Sequence, residues 1–154
     1  MTDLDHIAAL AERMPELAGV VPERMGGLTN RVYRLGDQVL RLPGKGTEDY
    51  IDREAEAISA RAAAAAGVSP EVIHADPASG IMVTRFIDGT ETMSPQAFRS
   101  RKGSPARAGQ ILAQLHRSGA VFPARFELFA MIDDYLGHLA GKDVALPQGY
   151  HQVL

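Results

Sequence analysis

The tightest constraint on the fold lies between Val20 and Leu42, where strand-like runs are joined by connections too short for anything but reversal. Val20, Val21 and Met25 lead as a first strand into Gly26-Gly27-Leu28-Thr29-Asn30. Arg31-Val32-Tyr33-Arg34-Leu35 then alternates as a half-buried strand does, Gly36-Asp37 makes a tight turn, and Val39, Leu40 and Leu42 form a third run. Parallel neighbours need a crossover of about a dozen residues or more, so these strands form an antiparallel meander. The glycine pair with its small polar followers describes a backbone loop able to lay N–H groups over phosphates. Arg41 brings a cation from the neighbouring strand.

The remainder of the chain alternates helix and strand. Before the meander, Asp5 to Leu17 spaces Ile7, Leu10, Met14 and Leu17 at helical intervals. After it, Pro43-Gly44-Lys45-Gly46 breaks the sheet. Thr47 is the expected N-cap of a helix with Glu48 and Asp49 in its first turn, running through Ala62–Ala66 to a stop at Gly67. Its alanine run is a strong helix former of small volume, suited to close packing on the sheet. Val72–His74 and Ile81–Ile87 read as two more strands around the turn Asp76–Gly80. Residues 90–104 are a polar connector with room for one helical turn. Pro105–Ser118 and Phe126–Leu139 are helices with apolar faces, the first carrying Ile111, Leu112 and Leu115, the second Phe129, Ile132, Tyr135, Leu136 and Leu139. The expected fold class is α+β. The expected divisions are an N-terminal helix over 1–19, a lobe of five strands and a helix over 20–89, the connector, and a helical region over 105–154.

Composition narrows the partners. A net charge of −3 over 154 residues argues against nucleic acid, whose phosphates call for a basic surface. With no cysteine, disulfides, thiolate metal sites and cysteine nucleophiles are excluded. The N-terminus is acidic where a signal peptide would be basic, and no apolar run nears the roughly 20 residues that span a bilayer. A cytoplasmic protein with no membrane partner is the expectation.

In order and in wording the chain resembles a known family. Gly26-Gly27-Leu28-Thr29-Asn30, Leu40-Arg41-Leu42-Pro43-Gly44, Tyr50-Ile51-Asp52-Arg53, Gly67–Val72, Val83–Gly89 and Leu112-Ala113-Gln114-Leu115-His116 together are similar to the bacterial choline/ethanolamine kinase branch of the aminoglycoside-phosphotransferase-like small-molecule kinases. The resemblance implies a protein-kinase-like small lobe, a five-stranded antiparallel sheet with one packed helix, followed by the first helices of a large lobe. It implies magnesium-bound ATP as cofactor and a small amino-alcohol as phosphoryl acceptor. It gives Gly26, Gly27, Thr29 and Asn30 to the phosphates and makes Arg41 the strand cation. The carbonyl of Arg85 and the N–H of Ile87 would meet the adenine. Two acids compete as partner of Arg41. The family's register points to Glu56, whereas the helix face shared by Ile51, Ala55, Ile58 and Ala62 lies nearer Glu54. We take Glu56, with Glu54 as the alternative.

The same resemblance implies an incomplete machine. The family's catalytic His-x-Asp loop and magnesium-binding aspartate would follow the second large-lobe helix, and no candidate for either is present after Leu139. No catalytic and no metal-binding residue is therefore assigned. The expected function is the ATP-binding part of a truncated small-alcohol phosphotransferase, inactive or weak alone. The alternatives are a non-catalytic nucleotide-binding or interaction module that pairs with a separately encoded large lobe, and the remnant of a disrupted gene. Three stretches mislead. His74-Ala75-Asp76 precedes the adenine-contacting strand and cannot be the catalytic loop; Gly44-Lys45-Gly46-Thr47 lacks P-loop spacing; and Asp133-Asp134 point about 100° apart on a helix.

Overall fold

In the computed structural model, which describes residues 2–47, 50–125, 127–145 and 148–149, Thr2 opens helix α1 (Asp3–Arg13) with a capping box. Its hydroxyl accepts from the Asp5 N–H at 3.2 Å, and its own N–H donates to the Asp5 carboxylate at 2.7 Å. Pro15 ends the α-helix and starts a single 3-10 turn, Pro15–Leu17. Ile7, Leu10, Met14 and Leu17, the four residues at helical spacing, are all buried.

They are buried against a sheet. Strands β1 (Glu23–Gly26), β2 (Arg31–Leu35), β3 (Gln38–Leu42), β4 (Val72–Asp76) and β5 (Ile81–Arg85) form a five-stranded sheet in the order β1-β2-β3-β5-β4, every neighbouring pair antiparallel. β1 starts at Glu23, so Val20 and Val21 precede it, and Val20 packs on the core. Residues opposite one another on neighbouring strands share a face. Leu35, Leu40, Leu42 and Val83 lie on the face covered by α1 and the 3-10 turn, and with the four N-terminal residues they make the hydrophobic core. Asp3 ties the helix to β2, accepting from Arg31 Nε at 2.8 Å and from the Tyr33 hydroxyl at 2.6 Å.

Helix α2 (Arg53–Ala65) begins later than the sequence suggests. Its N-cap is Asp52, whose carboxylate accepts from the Ala55 N–H at 2.9 Å, and not Thr47; Glu48 and Asp49 lie outside the described residues. The Asx cap wins because the Thr47 hydroxyl is spent elsewhere, accepting from Arg53 Nη2 and donating to the Gly44 carbonyl at 2.8 Å. The helix stops at Gly67 in a Schellman motif, with the Val68 N–H bonded to the Ala63 carbonyl at 3.1 Å and the Gly67 N–H to the Ala64 carbonyl at 2.9 Å.

Helix α3 (Pro95–Ser100), capped by Ser94, fills the connector and is followed by α4 (Ser104–Arg117). Gln114 of α4 donates to the carbonyl of Ala66, the C-cap of α2, at 2.7 Å. An apolar groove lined by Met93, Pro95, Phe98, Ile111 and Leu112 runs between α3 and α4. The chain divides into two compact units, Met1–Pro123 and Ala124–Leu154. The second holds α5 (Leu128–Leu139), none of whose residues is buried; Phe126, expected to start this helix, lies outside the described residues. No helix among the described residues is long and apolar enough to cross a membrane.

Candidate nucleotide site

The face of the sheet turned away from α1 carries the chemistry. Two cross-strand rows define it: Val32 opposite Arg41 opposite Met82, and Arg34 opposite Val39 opposite Thr84. The parity that sends Leu40 and Leu42 into the core sends Arg41 and Val39 the other way. Val32 and Val39 therefore give this face an apolar floor beside Arg41, while Met82 is buried with Glu56 and Ala57 of α2. The sequence reading named Arg41 but not the floor, although the alternation of β2 and β3 contains that information.

Above Val32 the chain folds the loop that links β1 to β2. Gly26 and Gly27 both have positive φ, 116° and 114°, which residues with a Cβ rarely adopt. At Gly27 a Cβ would also run into the carbonyl of Asn30, so the loop closes on itself only because that position is bare. The Asn30 side chain accepts from the Gly44 N–H at 3.3 Å, and the Thr29 carbonyl presses on Gly44 so closely that a Cβ there would collide with it. Gly44, which the sequence reading placed in a sheet-breaking stretch and in a family motif but not among the site residues, thus packs against the loop.

Beneath the loop, Arg41 pairs with Glu56 and not with Glu54. Arg41 Nη1 donates to Glu56 Oε1 at 2.7 Å, while Arg53 Nη1 donates to Glu56 Oε2 at 2.8 Å. One carboxylate is clamped between two guanidinium groups. Burial alone would raise the Glu56 carboxyl, but the bonds and charges of Arg41 and Arg53 outweigh it and hold it below its ordinary value of 4.5. Arg41 keeps capacity in hand, because its Nε and Nη2 are closed to solvent and have no hydrogen-bond partner among the described residues. Buried donors left unmet cost about 1–3 kcal/mol, so an anionic oxygen brought to this guanidinium would relieve that cost.

At the far end of the face, β5 runs into Phe86 and Ile87. The Arg85 side chain is a clamp, paired with Asp37 at 2.6 Å and Glu71 at 3.2 Å, and its bonds to these two acids raise its pKa. Its backbone N–H donates to the Glu71 carbonyl, and that of Phe86 to the Asp37 carbonyl. The Ile87 N–H takes no part in the hydrogen bonds of the described residues, and the Ile87 carbonyl accepts from the Thr90 hydroxyl at 2.9 Å. Arg34 lies over the Phe86 ring, its guanidinium carbon 3.8 Å from the centroid, and closes this end of the floor. Gly26, Gly27, Thr29, Asn30, Arg41 and Glu56 thus gather at one end of the face, while the backbone of Arg85 and Ile87 lies toward the other, the Arg85 side chain sitting opposite Gln38 on the α1 side. The misleading stretches resolve as well. His74 and Asp76 lie on β4, where Asp76 accepts from the Ser79 hydroxyl at 2.6 Å and shapes the turn to β5.

The residues present fit a nucleotide: a loop with bare backbone where it folds tightest, a cation with donors unspent, an apolar floor and a free amide at its far end. They supply no magnesium set, since no three His, Cys, Asp or Glu residues among those described are grouped to hold a metal ion.

Residues 21–148 match APH, the phosphotransferase enzyme family. The chain belongs to that family. Among curated relatives of this chain, protein LicA of Haemophilus influenzae is 30% identical over 122 residues, covering 77% of this chain and 36% of LicA. LicA of strain KW20 Rd is 31% identical over 104 residues, covering 68% of this chain and 39% of the relative. The chain therefore spans well under half the length of the curated relatives it matches. Among solved structures, a choline/ethanolamine kinase family protein from Mesorhizobium loti is 59% identical with a TM-score of 0.80, over 99% of this chain and 50% of that one. The choline kinase LicA from Streptococcus pneumoniae shares the fold at 21% identity, with a TM-score of 0.75 over 97% of this chain and 53% of that one. A LicA in complex with AMP does so at 21% identity, with a TM-score of 0.71 over 95% and 52%.

Proposed function

We propose that this chain is the ATP-binding part of a kinase that phosphorylates a small amino-alcohol of the choline or ethanolamine class. The observation that carries the reading is Arg41, held at one carboxylate oxygen by Glu56 with two further nitrogens unpaired, beside the Gly27–Asn30 loop. In this reading the loop amides and Arg41 take the phosphates, Val32 and Val39 bear on the base, and the Ile87 N–H with the Arg85 carbonyl meets its polar edge. The family ties of the chain and the AMP complex of a structural neighbour support the choice of an adenine nucleotide. Magnesium, when bound with the nucleotide, supplies charge neutralisation at the phosphates. We assign its ligands and the aspartate base to parts of the machinery other than the residues above. Binding is thus the step proposed for this chain, with transfer by it alone weak or absent, and a separately supplied large lobe is the partner that would restore it. A nucleotide partner also accords with the cytoplasmic location expected from the sequence.

Calorimetric titration with ATP and magnesium tests the reading. The chain is expected to bind, and Arg41→Met to weaken ATP about tenfold or more, the loss of charged hydrogen bonds being about 1.5–3 kcal/mol. No binding of ATP by the unaltered chain would overturn the proposal. Formation of ADP on addition of choline or ethanolamine to this chain alone would refute the restriction to binding. A purely non-catalytic module would bind ATP equally but would gain no transfer from an added large lobe.

A further inference from the structure

Arg53 stands at the centre of a chain of bonds that the nucleotide reading does not use. Through Nη1 it holds Glu56 Oε2 at 2.8 Å, and through Nη2 it reaches the Thr47 hydroxyl at 2.5 Å. Thr47 is buried and its hydroxyl donates to the Gly44 carbonyl; the Gly44 N–H in turn donates to the Asn30 side chain. The stem of Arg53 runs across Gly80 in the β4–β5 turn, where a Cβ would stand 3.0 Å from Arg53 Nε. Its side chain is only 12% exposed, far too enclosed for a solvated charge on the helix surface.

Each arm has a consequence for the neighbouring groups. A carboxylate facing a free arginine prefers the two-pronged fork, both oxygens on two nitrogens. Here Arg53 occupies Oε2, so Glu56 engages Arg41 through Nη1 alone, and Nε and Nη2 of Arg41 stay without a partner. The other arm fixes Thr47 and Gly44 against Asn30 and so holds the shape of the glycine loop. A single planar fork sets both ends of the phosphate site at once, which a point-charge lysine does less well.

We propose that Arg53 is a positioning residue for nucleotide phosphates: it keeps Arg41 from closing onto both oxygens of Glu56 and, through Thr47 and Gly44, locks the loop at Asn30. The proposal rests on the nucleotide reading above and adds to it a residue that touches no ligand.

The test compares ATP with adenosine, which lacks phosphates, by titration of the intact chain and its variants. Arg53→Met is expected to weaken ATP about tenfold while leaving adenosine within about twofold, and Arg53→Lys to recover part of the loss. In an Arg41→Met background, Arg53→Met should cost only the severalfold share that runs through Thr47 and the loop, because the rest of its effect runs through Arg41. Thr47→Val, nearly isosteric, cuts the loop arm without touching either ion pair; it should weaken ATP severalfold and serves if Arg53→Met fails to fold. If ATP binds and neither Arg53→Met nor Thr47→Val changes it, the positioning role is overturned and the nucleotide reading stands. Equal weakening of ATP and adenosine would make Arg53 merely structural and overturn the role too. Should the unaltered chain bind no ATP, both proposals fall.

Discussion

Glu56 serves two arginines with one carboxylate, and that makes its charge a contributor to folding with a definite pH signature. Its pKa in the folded chain lies below its ordinary value of 4.5, so near and below that pH the unfolded chain binds more protons than the folded one. The stabilisation is therefore fully present above the unfolded pKa and is lost as pH falls through the folded value. Denaturant midpoints for the chain and for Glu56→Gln, taken from about pH 7 down to about pH 3, should differ most at the upper end and converge at the lower. A constant gap across that range would mean the carboxylate's charge is immaterial. The same residue marks where sequence arithmetic failed. Assigning Ile51, Ala55, Ile58 and Ala62 to the inner face favoured Glu54, but Ile58 is 49% exposed, and the buried positions are Ala55 and Ala57, on either side of Glu56. Along an alanine-rich helix the apolar stripe is too weak to fix the inward face, and the register of the family motif proved the better guide to the Arg41 partner.

Among the elements, α1 carries more of the fold than its place ahead of the sheet suggests. Its amphipathic spacing was plain in the sequence, whereas the surface it covers was not, because that depends on long-range parity in β2, β3 and β5. Leu10, at 4% exposed, packs in one cluster with Leu35, Leu40, Leu42 and Val83. Leu10→Ala should destabilise the first unit by about 2–5 kcal/mol in equilibrium unfolding, as a cavity opens that the sheet cannot collapse to fill. A loss below about 0.5 kcal/mol, the scale of surface changes, would show α1 to be an appendage. Strands and tight turns were legible because they are local: alternation, Gly36-Asp37 and Asp76–Gly80 each declare themselves within a few residues. The start of α2 was not, since Thr47 and Asp52 are both competent caps. What decides between them is Arg53, Gly44 and Asn30, brought together only by the fold.

At the scale of the whole molecule, burial is concentrated in one place, and the rest of the described chain is held by much less. The fully enclosed side chains, Leu35, Leu40, Leu42 and Val83, all belong to the central strands. On α4, Ile111 and Leu112 remain largely open, and α5 buries none of its residues although Phe129 is 75% exposed. A helix of this length without a covered face is marginal in water, because most helical stability comes from packing. Amide exchange should therefore span the full range within one chain. The amides of β3 and β5 are expected to exchange only through global unfolding, and those of α5 at rates close to an unstructured peptide. The two groups should also respond differently to ligand. A nucleotide that binds only the folded first unit adds protection to β3 and β5 that grows with the logarithm of its concentration above Kd, with the largest local gain over residues 26–30. It leaves α5 unchanged. Protection of α5 matching that of β3 would mean its apolar residues are covered in solution. Protection gained from ATP in α5 but not at residues 26–30 would move the nucleotide away from the glycine loop.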